Sequence, residues 1–514
     1  MAKNWKPYKK LHRWPGLIIS FVLLYYGFTG IIMNHRELLS GIDFNRRILP
    51  SNYEYRNWNN AALKGSLSIG EDSILVYGNI GIWLTDSAFT HYSAFSSGFP
   101  EGVDNIRIFD IHMTSDGSLF AGSFSGLYGY DRNSHEWKRF ETEGSERRFL
   151  GIESIGDTVY AVNRSYLFAG KVDGTDTEFH IENLSPPPGY DRKVTLFQTV
   201  WQIHSGEIFG LPGKVYVDLL GLVTIFLSVT GIIWFFAPGW IRSRVRRNRD
   251  ARPLVRTGRW SLRWHNNVGA WTFVLLIVLY LTGMFLRPPL LIAIGNAKVL
   301  PLRYTHLDQP NPWYDKLRDL HYDEERNSLF LATSEGIFGM DPSVMKPELP
   351  VSQPPVSVMG ITVFDRYNDG YFLIGSFSGL FAWNPDRPGV LNFITGEPYT
   401  DTGTGRPVGD YKITGMITDT RGRSYIAEYG AGILPLHHDG SLPAMPAEII
   451  RESRISLWSL CLEIHTGRIF ENLAGMFYIL IVPLAGITGI IVVFSGYMVW
   501  RRKYRKKGYD NILE

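Results

Sequence analysis

The stretch Trp201–Trp234, WQIHSGEIFGLPGKVYVDLLGLVTIFLSVTGIIW, decides how this chain is organised. It sets one histidine, His204, in the Gly-bounded segment IHSG, just ahead of an apolar run from Val215 to Ala237. About 20 residues rising ~1.5 Å each cross the ~30 Å hydrocarbon core, so this run is long enough to span a bilayer as a helix. The arrangement returns near the C-terminus, where Ile464–Gly467 reads IHTG ahead of the apolar stretch Leu473–Trp500. Thr-Gly falls late in both runs, at Thr230-Gly231 and Thr488-Gly489. Two spans therefore each follow a histidine.

Two more apolar runs, Gly16–Met33 and Val268–Leu286, bring the expected spans to four. Residues 1–13 hold five Lys/Arg, Gly239–Arg263 holds nine Arg against the single Asp250, and Arg501–Lys507 reads RRKYRKK. Cytoplasmic loops carry the Lys/Arg excess, which puts all three segments and both termini inside. With no small-residue cleavage site after the first run, that run reads as a retained anchor. In a bacterium the chain then sits in the inner membrane with two large periplasmic segments. The divisions are a first span (1–36), an outer segment (37–195), a His motif and second span (196–238), and a basic loop (239–263). A third span (264–289), a second outer segment (290–455), a His motif and fourth span (456–500) and a tail (501–514) follow. The 514 residues are 20% charged, 45% apolar and marginally basic at +3, which points to no nucleic-acid partner. A single cysteine, Cys461, rules out an intrachain disulfide or a Cys-based metal cluster.

The outer segments repeat one pattern: EDSILVYGNIGIWLTD (71–86), DGSLFAGSFSGLYGYD (116–131), GDTVYAVNRSYLFAGKVDG (156–174), RNSLFLATSEGIFGMDP (326–342), DGYFLIGSFSGLFAWNPD (369–386) and RGRSYIAEYGAGILPL (421–436). An alternating strand, a Gly-containing turn and a second apolar strand make a hairpin. Their recurrence is the spacing of propeller blades, and the strands resemble regulator-propeller repeats. GSFSGL begins at Gly122 and again at Gly375, an offset of 253 residues shared by His12 and His265, Gly16 and Gly269, and Gly30 and Gly283. One unit of span, three blades, histidine motif and span has been copied once. Three blades cannot cover their own faces, whereas six can close. The expected fold is thus a four-helix transmembrane bundle carrying a periplasmic six-bladed β-propeller assembled from two inserted halves. The alternative is two small β-sandwiches, one per segment.

Five of the 13 histidines lie in or beside the spans. His12 (LHRWPG) and His265 (RWHNNVG) stand at the cytoplasmic ends of the first and third spans, and His204 and His465 at the outer ends of the second and fourth. A pseudo-twofold axis along the membrane normal brings each pair together. Neutral imidazole ligates metal without carrying charge into lipid. Facing histidines with Gly16, Gly27, Gly30, Gly269 and Gly283 nearby suit the axial positions of a b-type haem, one per pair and two per chain. The competing reading makes His12 and His265 interfacial anchors beside Trp14 and Trp264. Zinc is disfavoured, since neither pair carries a carboxylate or thiol. His35 has no symmetry mate, its counterpart being Pro288. It is a candidate alternative ligand or, with Arg36, a contact for an anionic chelate. Asp218, the one acid well inside a span, is expected to pair with Lys214 four residues before it, with proton or quinol handling as a further role.

LHRWPG, IHSG, IHTG and the Thr-Gly pairs at 29–30, 230–231, 282–283 and 488–489 resemble the PepSY-associated transmembrane family. That resemblance implies a haem-bearing inner-membrane reductase of periplasmic ferric siderophores, although relatives carry small PepSY modules where this chain has blade-like repeats. The reading that follows is a membrane oxidoreductase passing electrons from the His12/His265 level to the His204/His465 level and on to a ferric chelate. Reduction to iron(II) loosens hard oxygen ligands and frees the metal for uptake. The cytoplasmic loop holds no GxGxxG and no room for a flavin or nicotinamide domain, so the donor is the quinol pool or a separate reductase. From His12 to His35 is 23 residues, roughly 34 Å of helix and a long distance for electron transfer. Alternatives without redox chemistry are a ligand-sensing propeller on a membrane anchor and a docking platform for outer-membrane uptake components.

Overall fold

The computed structural model describes residues 6–295, 297–356, 360–368, 370–400 and 409–510. Lys3, Asp369 at the head of the fifth repeat, and the tail beyond 510 lie outside them. The chain divides into two compact units, one of residues 1–39, 192–309 and 458–514, the other of residues 40–191 and 310–457.

The first unit is helical. Its long helices are α1 (Lys6–Asn34), α3 (Gly210–Arg246), α4 (Arg252–Phe285) and α6 (Ile481–Asp510), and α2 (Leu196–Ser205) and α5 (Leu457–His465) are among its short ones. Among the described residues four segments, Pro7–Asn34, Glu207–Arg246, Arg252–Phe285 and Arg468–Arg502, are long and apolar enough to cross a membrane. Outward-facing Ile18, Phe21, Phe28, Leu219, Trp271 and Leu484 are each more than half exposed. Such a surface suits lipid, where an apolar exterior costs nothing, and α-helices satisfy their backbone polar groups internally. α1 and α4 each pack against both α3 and α6. Glycine permits the close crossings: a Cβ on Gly27 would lie 2.9 Å from the Gly221 carbonyl, and one on Gly486 would lie 3.1 Å from that of Tyr280.

The sequence places each histidine motif in a short segment ahead of its span; the structure makes each motif the end of a separate helix. Thr195 caps α2, its hydroxyl accepting from the Gln198 amide, and Gly206 ends it in the left-handed region at φ +80°. Gly467, at φ +76°, closes the equivalent turn after α5. A residue with a Cβ resists that conformation. The Gly of IHSG and IHTG therefore stops the helix just after its histidine.

The second unit is built on antiparallel sheets, with one short helix, Ala447–Glu452, after the last of them. Six sheets of three or four strands follow one another, each an up-and-down meander. Their first strands are β1 (Gly65–Gly70), β2 (Ile108–Met113), β3 (Phe149–Ile155), β4 (Leu317–Asp323), β5 (Val363–Asn368) and β6 (Ile413–Thr418). Every repeat read from the sequence supplies the second and third strands of one sheet. Each first strand touches the first strand of the next sheet, and β6 touches β1. Six apolar clusters fill the six junctions. Trp383, Phe372 and Phe330 join the fourth and fifth sheets, for example, while Ile74, Val76, Tyr425 and Ile433 join the sixth to the first. Where β6 meets β1, a Cβ on Gly415 would overlap the Lys64 carbonyl, so that backbone approach requires glycine. Asp43–Asn45 pairs with Arg454–Ser456, tying the start of this unit to its end.

Candidate functional site

Four histidines meet in two pairs inside the helical unit. The His12 and His265 ring centres are 5.9 Å apart, and those of His204 and His465 are 6.3 Å apart. In every ring Nδ1 is held from a neighbouring helix. His12 Nδ1 lies 2.9 Å from the Val492 carbonyl and His204 Nδ1 3.0 Å from that of Leu279. A carbonyl only accepts, so both rings carry their proton on Nδ1. His265 Nδ1 lies 3.0 Å from Thr230 Oγ1, and His465 Nδ1 2.8 Å from Thr29 Oγ1. Each threonine spends its one proton on the carbonyl a turn earlier, Phe226 at 2.7 Å and Tyr25 at 2.7 Å. The hydroxyl oxygens are therefore the acceptors, and all four rings carry an Nε2 lone pair. This is the tautomer of a metal-ligating imidazole with its second nitrogen anchored.

The rings rest on glycine. A Cβ on Gly283 would lie 2.7 Å from His204, and one on Gly496 2.7 Å from His12. On Gly30 and Gly231 it would lie 3.4 Å from His465 and His265. Three of the Thr-Gly pairs singled out in the sequence thus seat a histidine. The fourth does not: Thr488-Gly489 is not the counterpart of Thr230-Gly231, because Gly489 faces Tyr280 and it is Gly496, after Ser495, that underlies His12. Thr-Gly falls late in both apolar runs, yet in the second the glycine that seats a histidine lies seven residues further on. Every anchor also comes from the half of the chain that does not carry its histidine.

The pairs fit a bis-histidine haem. Two metal–nitrogen bonds of about 2.0 Å, with about 1.1 Å from each nitrogen to its ring centre, set the centres roughly 6.2 Å apart. A cleft opens beside His12 and His265, lined by Leu23, Gly269, Leu276 and Tyr280 among others. Among the described residues no group of three or more His, Cys, Asp or Glu could hold a metal ion by itself. His465 lies against Thr29 and Gly30 rather than at the His35 level, so the two levels are 17 residues apart on α1, roughly 26 Å. That shortens the 34 Å read from the sequence.

Asp218 does not pair with Lys214. Its carboxylate accepts from Asn34 Nδ2 at 2.8 Å and meets His35 Nε2 at 2.8 Å, while Lys214 turns back to Glu207 at 3.6 Å. The end of α1 supplies two partners across the helix crossing, which the intrahelical spacing could not reveal. His35 is thus engaged through Nε2. The Arg36 guanidinium stacks 3.8 Å above Trp458, whose indole donates to the Met33 carbonyl.

Sequence reasoning missed a second polar centre, on the first strands of the sheets. Burial pushes Asp110 and Asp365 up to about 6 and Asp319 well above the usual range, and the Asp110 charge adds to the rise of the other two. Glu153 is raised to about 7 by burial, and stands 3.7 Å from His112 and 3.4 Å from His321. The acids come from different sheets, so no local motif marks them.

Comparison with known proteins places the chain. No curated protein matches it. Among solved structures, the extracellular domain of a putative hybrid two-component system of B. thetaiotaomicron aligns at 13% identity and TM-score 0.34, over 75% of this chain and 40% of that one. A second such domain from B. thetaiotaomicron aligns at 10% identity and TM-score 0.31, over 76% and 44%. A computationally designed protein, Ika8, aligns at 8% identity and TM-score 0.29, over 74% and 98%. This chain thus spans less than half the length of the two bacterial structures. Two successive stretches, 8–237 and 239–503, match the family described as PepSY-associated TM region, one for each half of the duplication. Together they take in nearly the whole sequence, and the protein belongs to the PepSY-associated TM family.

Proposed function

We propose that this protein is an inner-membrane b-type haem oxidoreductase that delivers electrons across the bilayer to a periplasmic ferric chelate, for iron uptake. The observation that carries the reading is the pair of facing histidines at two levels, with Nδ1 anchored and ring centres 5.9 and 6.3 Å apart. His12 with His265, and His204 with His465, would hold one haem each; when bound, haem supplies a one-electron iron(III)/iron(II) couple. The chain's own residues do the rest. Thr29, Thr230 and the Val492 and Leu279 carbonyls fix ring orientation and raise the basicity of Nε2. The apolar faces of α1, α3, α4 and α6 keep water out. Ferric chelate plus one electron gives the ferrous complex, the electron coming from quinol or a separate reductase on the cytoplasmic side.

The six consecutive sheets form one six-bladed propeller in this reading, supported by the contact of β6 with β1 and by an apolar cluster at every junction. The basic N-terminal segment, the Gly239–Arg263 loop and the tail lie in the cytoplasm and the sheets in the periplasm, supported by the Lys/Arg distribution. The test is a reduced-minus-oxidised spectrum with a pyridine haemochrome assay on purified protein. Two b-type haems per chain are expected; protein that carries none when produced with ample haem overturns the reading.

A further inference from the structure

The residues just before the six first strands are Lys64, Arg107, Arg148, Lys316, Thr362 and Lys412. Five are cations, a regularity that hairpin packing does not demand. Contacts around the sheets set these positions at one level. The Met416 amide donates to the Lys64 carbonyl, the Phe124 amide to that of Arg107, and the Leu317 amide to that of Arg164. The Thr362 hydroxyl reaches the Ile413 carbonyl at 2.8 Å, and a Cβ on Gly360 would lie 2.7 Å from Arg318.

Arg164 and Arg318 join the same level. Arg318 has Arg164 and Arg148 as charged neighbours, and Lys64 has Arg107 and Arg148. Three carboxylates answer: Glu146 lies 3.9 Å from Arg148, Asp315 pairs with Arg164, and Glu335 lies 3.1 Å from Lys316. With Glu428, whose carboxylate accepts from the Lys412 amide at 3.3 Å, four acids stand against seven cations at this level, which leaves a positive mouth. Lys64, Arg107, Arg148 and Arg318 are all partly open to solvent. Aromatic faces lie among them, Phe109 at 4.2 Å from Lys64 Nζ and 5.7 Å from the Arg107 guanidinium, and Phe124 at 5.5 Å from that of Arg148. Burial and the two arginines push the Lys64 ammonium well below its usual range, and a bound anion would draw it back up. Further along the same strands stand Asp110, Asp319 and Asp365, which turn an anion back and fix how deep it sits.

We infer that this mouth binds an oxygen-rich organic polyanion, the anionic chelate of the iron complex whose reduction is proposed above. That the anion is a metal chelate rests on that reading; the charge of the ligand does not. Guanidinium forks match carboxylate and phenolate oxygens, and convergent cations draw a multiply charged ligand by steering.

The test uses the full chain in zwitterionic nanodiscs and gallium(III) complexes, which bind like iron(III) complexes but are not reduced. Gallium tris-catecholate, triply anionic, is compared by titration calorimetry with a neutral gallium tris-hydroxamate. Tight binding of the anion alone is expected, weakening roughly tenfold or more between about 0.05 and about 0.5 M salt. The Lys64→Gln/Arg107→Gln/Arg318→Gln variant is expected to lose roughly tenfold or more in affinity at low salt. No binding of the anion, equal binding of the neutral complex, or an unchanged triple variant overturns the proposal. If the triple variant does not fold, the wild-type salt dependence decides, and salt-independent affinity is fatal. Haem counted on the same samples reads the oxidoreductase proposal separately: anion binding without haem leaves this inference standing and that one failed.

Discussion

The His465 imidazole donates through Nδ1 to the Thr29 hydroxyl at 2.8 Å, and the two residues lie on opposite halves of a duplicated chain. An acceptor at Nδ1 gives the ring imidazolate character, which favours the oxidised metal. Thr29→Val should raise the midpoint potential of the outer haem by on the order of 40 mV, one hydrogen bond of ~1 kcal/mol expressed for one electron. Thr230→Val should do the same to the inner one alone. Redox titration followed optically reads both, and unmoved potentials would deny the threonines a tuning role.

Removing a ligand should separate the two levels. His204→Ala or His465→Ala is expected to leave one haem per chain, and His12→Ala or His265→Ala to leave the other. Pyridine haemochrome counts fall from two to one in each case. Four variants that all retain two haems would reduce these histidines to packing.

Glycine under the rings makes a sharper test, since the ligands stay intact. Gly283→Val and Gly496→Val put methyl groups where a Cβ alone already falls 2.7 Å from His204 and His12. Each should lose the haem of its own level, at a structural cost of roughly 1–3 kcal/mol. Gly239→Ala, in open space, is the control and should keep both.

Glu153 gives the sheets a pH response. Its carboxyl is raised from 4.5 to about 7, so the fold favours the protonated form and loses stability as pH climbs through that window. His112 and His321, lowered from 6.5 to about 4 chiefly by burial, act in the opposite sense, gaining stability as pH rises from about 4 to 6.5. Wild type therefore shows a muted profile in which Asp110 and Asp365 also take part. Glu153→Gln removes one contribution: relative to wild type it should gain roughly 1 kcal/mol or more between about pH 5 and about pH 8. Thermal melts at the two pH values check this, and parallel shifts refute it.

His35 and Asp218 should behave as one unit. Either His35→Ala or Asp218→Ala is expected to cost roughly 1–3 kcal/mol, and the double variant little more than one of them. Additive losses in chemical denaturation would show that the 2.8 Å contact carries no coupling.

Spans, repeats and the duplication were legible because each rests on periodicity along the chain: apolar runs, alternating strands, and the 253-residue offset of GSFSGL. The histidine pairs were legible through symmetry, since His12 and His265 recur at that offset. What stayed hidden depends on which residues face one another. Nothing local tells that Asp218 answers to Asn34 and His35 instead of Lys214. Thr-Gly was visible as a motif, but its use as a seat for a histidine of the other half was not. Thr488-Gly489 kept the spelling and lost the role, because α6 meets α1 at Val492 and Gly496. The carboxylates of the first strands escaped for the same reason: Asp110, Glu153, Asp319 and Asp365 converge only when four sheets are side by side.

The crossed anchoring of the histidines bears on ancestry. A lone half would own two histidines and the seats for two others, and could complete neither level by itself. Before the duplication such a unit could be whole only as a homodimer, with identical residues facing across the axis. Fusion freed the copies to diverge, and His35 opposite Pro288 is the mark of that freedom. The asymmetric tie to Asp218 is a feature no symmetric dimer could have carried on one side alone.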